Sequence, residues 1–427
     1  MRITRRMPTA LVGTLAVAAL SLCACGSDSD DGGGNVTLNV QLFGSFGYKE
    51  SGLFDEYQKL HPNISIKFTS VQQESTYWPK IQSQLNAPTG VGDVYAAEVS
   101  RIAQVTQNQA DRWVDLKTFG AGDLEADYYD WKWKAGTTAD GKILGLGTDI
   151  GPLAICYRKD LFAKAGLPTD RQELAKSWTS WQAFLDLGKQ YKAKAPRGSA
   201  FVDTAGGLYN AILGSSIKQY YDESGKPIHE TNPAIRDAWN LGVQAAQTGL
   251  TARLKQFDEA WNKAFSSGSF ASIACPSWMI SYIKGQDKNG SGKWDVAPGP
   301  GVGNWGGSYL GIPKNSRHQK ESYDLIRWLT APDQQVRLFQ DSGIFPASKV
   351  AASRPEVADA KDPYFGDAPV GKIFGDVAQN LPVAVHGPRD GSILDAFNNG
   401  LLSIETQKTD PDKAWKDTMK NVENLLG

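Results

Sequence analysis

The chain has 427 residues, with 45 basic and 46 acidic side chains and a formal charge of −1. That balance excludes a broad basic face for a nucleic-acid backbone, and no nucleic acid is expected as a partner. Its 41% apolar content is ordinary for a soluble protein, and beyond the N-terminus no second long apolar run appears.

Arg2, Arg5 and Arg6 precede an apolar run from Ala10 to Leu22. A positive segment, a short apolar core and small residues at its end describe an export signal. The run is too short to cross a hydrocarbon layer of ~30 Å. It closes with Leu22-Cys23-Ala24-Cys25-Gly26, which resembles the lipobox of bacterial lipoproteins. By that resemblance residues 1–25 are a lipoprotein signal peptide and Cys25 is the acylated residue. The protein would then work on the extracellular face of the cytoplasmic membrane, held by lipid. Residues 26–35 are small, acidic and glycine-rich and read as a flexible tether.

Val36 to Phe43 alternates and predicts a first strand, followed by a loop carrying Phe46 and Tyr48. Leu53, Phe54, Tyr57 and Leu60 fall at helical spacing within 51–60, and Ile64 to Phe68 is a second strand. Strand, helix, strand order predicts an α/β fold. Tyr77 to Leu85 is helical. Gly92 to Glu98 is a strand whose end places Glu98, Ser100 and Arg101 at a carboxyl edge, where open α/β sheets bind ligands. Residues 141–151 read as a strand entering a glycine-bounded turn with Asp149, a first crossing between lobes. Leu153 to Arg158 is a buried strand, and the next helix starts with Thr179 or Ser180 as cap, the Thr179 to Gln182 spacing fitting a capping box. Tyr209 and Asn210 follow Gly206-Gly207 at a helix start. Asn232-Pro233 starts another helix, 257–265 is helical, and Phe270 to Cys275 is a strand ended by Pro276-Ser277-Trp278. The glycine-rich run 298–310 holds Trp305 and predicts close backbone approaches. Helices are expected over 321–329, from about 331 to 343, over 392–402 and over 412–426. Phe345-Pro346-Ala347-Ser348 reads as a further crossing, and Arg389 sits in a late loop.

Thirteen Trp and 15 Tyr are the compositional excess. Rings in loops suit flat ligands with polar edges, although most such residues serve a core. Cys156 and Cys275 alone remain beyond the leader. In an oxidising compartment they invite one disulfide, with two separate buried thiols as the alternative. His61, His229, His318 and His386 show no metal-ligand spacing, so neither a metal nor another cofactor is expected.

Several segments together carry a family resemblance: Phe54 to Phe68 (FDEYQKLHPNISIKF), Gly92 to Glu98 (GDVYAAE) and Tyr157 to Leu167 (YRKDLFAKAGL). Ser180-Trp181, Gly306-Gly307 before Ile312-Pro313, and Phe345-Pro346-Ala347 add to them. Residues 36–427 resemble an extracellular solute-binding protein of a bacterial ABC importer, of the carbohydrate class typified by maltose-binding protein. The resemblance implies an α/β, two-lobed periplasmic-binding-protein fold (type II) with a hinge and an interlobe cleft. It implies residues 36–148 plus 309–345 for lobe 1 and 149–308 plus 346–427 for lobe 2. Thr148 to Asp160 (TDIGPLAICYRKD) and Cys275 to Met279 (CPSWM) look like actinobacterial cellobiose and cello-oligosaccharide binders, with xylo- and chito-oligosaccharide binders as rivals.

By this resemblance the protein is not an enzyme. It is a monomer that binds an oligosaccharide and delivers it to membrane permease subunits. Trp278 is the expected sugar platform, with Trp305, Phe46 and Tyr48 as further aromatic contacts. Glu98 and Asp149 are the expected acceptors for sugar hydroxyls, because charged acceptors make the stronger bonds. Ser100 and Arg101 match positions where maltose-binding proteins use an Asp-Arg pair, here with Ser first. Asn210, Tyr209 and Arg389 complete the expected set, and His386 is expected to be structural. Cys156 and Cys275 fall on strands of one lobe in this arrangement. The rival class is an anchored glycoside hydrolase using Glu98 and Asp149 as its carboxylate pair.

Overall fold

The computed structural model describes residues 34–87 and 90–427. The signal peptide, Cys25 and residues 26–33 of the tether lie outside the described residues. Asn35–Gly427 forms one compact unit built on two sheets. Five strands make the first: β1 (Val36–Phe43), β2 (Ile64–Val71), β3 (Val94–Glu98), β4 (Leu146–Gly147) and β9 (Ser308–Gly311). Their order is β2-β1-β3-β9-β4, with β1 parallel to β2 and β3, and β9 antiparallel to β3 and β4. The second sheet is β6 (Ala200–Val202), β7 (Phe270–Pro276), β5 (Leu153–Arg158) and β8 (Trp294–Pro298), in that order.

In β1 the alternation of Leu38, Val40 and Leu42 aims one face into a core of tyrosines and aliphatics. Strand β5 (LAICYR) is buried at every position, as a central strand covered on both faces must be. Cys156 on β5 and Cys275 on the adjacent antiparallel β7 are disulfide-bonded, with Cα atoms 5.4 Å apart.

Three passages connect the sheets side by side. Ile150 N donates to Phe345 O, Trp305 N to Gly151 O, and Asp149 bridges Pro346.

Local differences have local causes. The expected strand over 141–151 shrinks to Leu146–Gly147, because Thr137 and Ile143 make only an isolated bridge. The cap of the Trp181–Lys194 helix is Ser180, accepting from Ala183 N, while Gln182 turns forward to Asp186; the Thr179 box does not form. The helix expected from Phe257 begins at Glu259, since Phe257 itself has φ +67°. The last two helices are longer than expected, Asp390–Gln407 and Pro411–Leu426. Asn232 caps Pro233–Gln247 as the sequence predicts.

Candidate binding site

A cavity of about 910 Å³ lies between the carboxyl end of the first sheet and the helices that pack on the second. That is toward the upper end for small-molecule sites. From the first sheet come the loop after β1 (Phe46, Tyr48), the β3 end (Glu98, Ser100, Arg101) and Asp149 after β4. From the second come Asn210 on Ala205–Leu213, Trp278 after β7, and Asp390, Asp395, Asn398 and Glu405 on Asp390–Gln407. Trp305 enters from the glycine-rich passage.

The two tryptophans form one corner. Trp278 Nε1 donates to Trp305 O at 2.9 Å, and their rings stand edge to face at 6.0 Å between centroids. Phe257 packs on Trp278 at 6.3 Å. The corner therefore offers carbon faces, with the Trp278 N–H already spent on the backbone.

The polar lining divides into groups that are satisfied and groups that are not. Glu98 caps Val99–Asn108 by accepting from Ser100 N at 2.6 Å. Asp149 Oδ1 accepts from Thr148 Oγ1 at 2.6 Å and Ser308 N at 2.9 Å. Burial pushes both carboxyls up, and these bonds oppose it, together with Lys132 at Asp149 and with Arg101 and then Lys132 at Glu98. The turn that delivers Ser308 depends on Gly307 (φ +101°), where a Cβ would lie 2.7 Å from Asp149 O. In contrast, Tyr48 Oη, Trp131 Nε1, Asn210 Oδ1, Asp390 Oδ1 and Asn398 Oδ1 are buried at the cavity without a hydrogen-bond partner among the described residues. Such groups are rare in folded proteins and call for a partner. Carboxylates outnumber cations in the lining, with Glu50, Glu74, Glu98, Asp149, Asp390, Asp395 and Glu405 against Arg101 and Lys255.

Comparison with known proteins decides the family. Residues 52–364 match the family model described as bacterial extracellular solute-binding protein. A crystal structure described as an extracellular solute-binding protein, family 1, is 39% identical, covers 92% of this chain and 100% of its own, and superposes with a TM-score of 0.79. The chain is a bacterial extracellular solute-binding protein. Two curated relatives are more distant. The lactose-binding protein of Rhizobium radiobacter is 25% identical over 262 residues, 58% of this chain and 60% of that protein. The maltooligosaccharide ABC transporter solute-binding lipoprotein of Streptococcus pneumoniae R6 is 25% identical over 447 residues, 96% of this chain and 97% of that one.

The α/β, two-lobed fold expected from the sequence is the fold of this solute-binding protein. Of the residues expected at the site, nine line the cavity: Phe46, Tyr48, Glu98, Ser100, Arg101, Asp149, Asn210, Trp278 and Trp305. Two do not. Tyr209 is fully buried on another face of its helix, bonded to Tyr220 Oη at 3.0 Å and stacked on Phe397 at 5.3 Å. Arg389 is exposed just ahead of the Asp390–Gln407 helix, outside the lining. His386, expected to be structural, reaches the cavity and bonds Asp390 Oδ2 at 2.7 Å. Arg101 lines the cavity but its guanidinium is committed to Glu74 and Asp395. The cavity also uses Trp131, Phe257, Asn398 and Glu405, which sequence reasoning missed. Trp131 had a visible signal in the aromatic run 128–133, where Trp133 goes to the core and Trp131 to the cavity.

Proposed function

We propose that this protein is the sugar-receiving component of an ABC importer, binding an oligosaccharide in the cavity between its lobes and passing it intact to the membrane permease. The carrying observation is one cavity that combines the Trp278–Trp305 corner with buried polar atoms lacking protein partners at Tyr48, Trp131, Asn210 and Asn398. A sugar presents C–H faces to the first and hydroxyls to the second. Each buried group left unmatched costs ~1–3 kcal/mol, so a ligand that matches them gains both affinity and selectivity. The two relatives, a lactose-binding protein and a maltooligosaccharide transporter's solute-binding lipoprotein, support a carbohydrate.

Within that class the reading is a β-linked gluco-oligosaccharide such as cellobiose or a longer cello-oligosaccharide, supported by the runs Thr148 to Asp160 and Cys275 to Met279. Lobe 1 is taken as 36–148 plus 309–345 and lobe 2 as 149–308 plus 346–427, closing on the ligand by differential affinity for the closed state. Cys25 is the lipid attachment point, and the word lipoprotein in the pneumococcal relative's name agrees with it.

The test is a thermal-shift screen of the mature protein against cello-, xylo-, malto- and chito-oligosaccharides, since a ligand that binds the folded state raises its melting temperature. Chromatography of the sugar after prolonged incubation completes it. Stabilisation with the sugar recovered intact supports the reading. No response to any carbohydrate, or cleavage of one, ends it.

A further inference from the structure

Lys132 is the least expected residue near the site. It lies on the short helix Asp130–Ala135, its side chain is fully buried, and its ammonium makes no hydrogen bond among the described residues. A buried charge without a bonded partner is costly. The fold makes room for it. A Cβ on Gly147 would meet Lys132 Cε at 2.9 Å, and one on Gly307 would meet Nζ at 3.2 Å. Nζ stands 3.7 Å from the Tyr309 ring centroid, a cation–π contact.

The same Gly307–Ser308 turn meets Asp149 and the chain at Glu98, two of the acidic residues of the site. Gly307 O accepts from Val99 N, next to Glu98, and Ser308 N donates to Asp149 Oδ1 at 2.9 Å. Ser308 also pairs with Glu98 across β3 and β9. The groups whose charge Lys132 feels are thus Glu98 from the β3 end and Asp149 from the passage after β4, with Tyr309 from β9 beneath it and Tyr48 beside Asp149. Arg101, a cation of the lining paired with Glu74 and Asp395, also faces Glu98, whereas Lys132 is the cation that faces Asp149.

We propose that Lys132 is a positioning residue for ligand recognition: its buried ammonium is the internal counter-ion that keeps Glu98 and Asp149 as ionised, acceptor-only carboxylates at the cavity wall. This rests on the reading of the cavity as an oligosaccharide site. The arrangement is self-limiting. Burial lowers the Lys132 amine to about 8, against the pull of Asp149 and Glu98. Above that pH the amine loses its proton and the two carboxylates lose their counter-charge. They are then better served by water in an open cleft than by a closed ligand complex. Affinity is therefore full below about pH 8 and falls as pH rises through it.

The experiment is calorimetric titration of the best oligosaccharide from the screen, from about pH 6 to about pH 9.5, with circular dichroism to confirm the fold at each pH. The wild type is expected to bind evenly to about pH 7.5 and to weaken at least ~5-fold by about pH 9.5. Lys132→Met is expected to bind about ten-fold more weakly at pH 7 and to lack the alkaline limb. His386 and Glu405 also line the cavity, so an alkaline limb that persists in Lys132→Met belongs to other groups and overturns the proposal. An unchanged dissociation constant in Lys132→Met overturns it too. If that variant does not fold, the wild-type profile decides, and a flat profile refutes the proposal. Binding at pH 7 with a flat profile removes this inference alone, whereas no binding at any pH removes the sugar-site reading and this inference with it.

Discussion

Arg101 ties the two sides of the cavity together, and Asp395→Ala removes the charged half of that tie. The guanidinium bonds Glu74 through Nε and Nη2, each at 3.1 Å, and Asp395 Oδ2 through Nη2 at 2.9 Å. Burial works against the Arg101 charge, but Glu74 and Asp395 more than offset it and its pKa rises. Glu74 begins the Glu74–Leu85 helix on the first sheet, whereas Asp395 lies on Asp390–Gln407, which packs against Ala205–Leu213 on the other side. Removing Asp395 leaves the Arg101–Glu74 pair intact, so no buried charge is orphaned; the longer bond from Arg101 Nη1 to Ser392 Oγ (3.4 Å) also stays, and the change reads the charged part of the cross-cavity link. Two unit charges at 4 Å interact by about 4 kcal/mol near a protein surface. The Asp395 side chain is 45% exposed, however, and for such a solvent-reached pair the measured worth falls to about 1 kcal/mol. That corresponds to a dissociation constant about five-fold weaker for Asp395→Ala, with the unliganded protein shifted toward a more open form. Calorimetry at low and high salt checks the first expectation, because screening should narrow the gap between variant and wild type. Small-angle scattering checks the second as a larger radius of gyration. Equal affinities at low salt with equal radii would refute the cross-cavity role.

Three further expectations concern other parts of the molecule. Trp278→Ala should weaken sugar binding ten-fold or more (about 1.4 kcal/mol), while Trp278→Phe should keep most of it, because the indole N–H is already spent on Trp305 O; tryptophan fluorescence titration distinguishes them. Burial raises the Glu405 carboxyl from 4.5 to about 7. The unfolded chain therefore ionises first, so folded stability is greatest below about pH 4.5 for this group and falls as pH rises toward 7. At ~1.4 kcal/mol per unit, reduced because Asp203 couples to it, Glu405→Gln should stabilise the protein by on the order of 2 kcal/mol at pH 8 and little at pH 5, read from denaturant midpoints. Reducing the Cys156–Cys275 bond, whose ends are 119 residues apart, should cost about 2–4 kcal/mol of stability. Both cysteines lie within one sheet, so the sugar affinity of the reduced, still folded protein should not change.

What the sequence could show of this site follows from how each residue reaches it. Glu98 and Asp149 were legible because strand ends project there by topology, and Trp278 because a strand followed by Pro276 fixes where the next ring begins. The strands themselves were legible from alternation in 36–43 and from the continuous apolar run in 153–158. The helix Ala205–Leu213 marks where this logic ends. Its neighbours Tyr209 and Asn210 lie about 100° apart around the axis, so one faces the cavity and the other the Phe397 core. The segment AGGLYNAIL is apolar on nearly every side, which leaves no polar stripe to set the phase. Its lone amide was the only hint, and Asn210 is the residue that carries an unmatched oxygen to the cavity. Arg101 and Lys132 fail for another reason. The partners of Arg101 are Glu74, a short way back in the chain, and Asp395, nearly three hundred residues on. The slot of Lys132 is made by Gly147 and Gly307 from two separate passages. No periodicity within a window can report contacts of that range. The partners of the buried cations near the site are thus set by contacts far apart in the chain, and the groups that line its cavity largely by the ends of local elements.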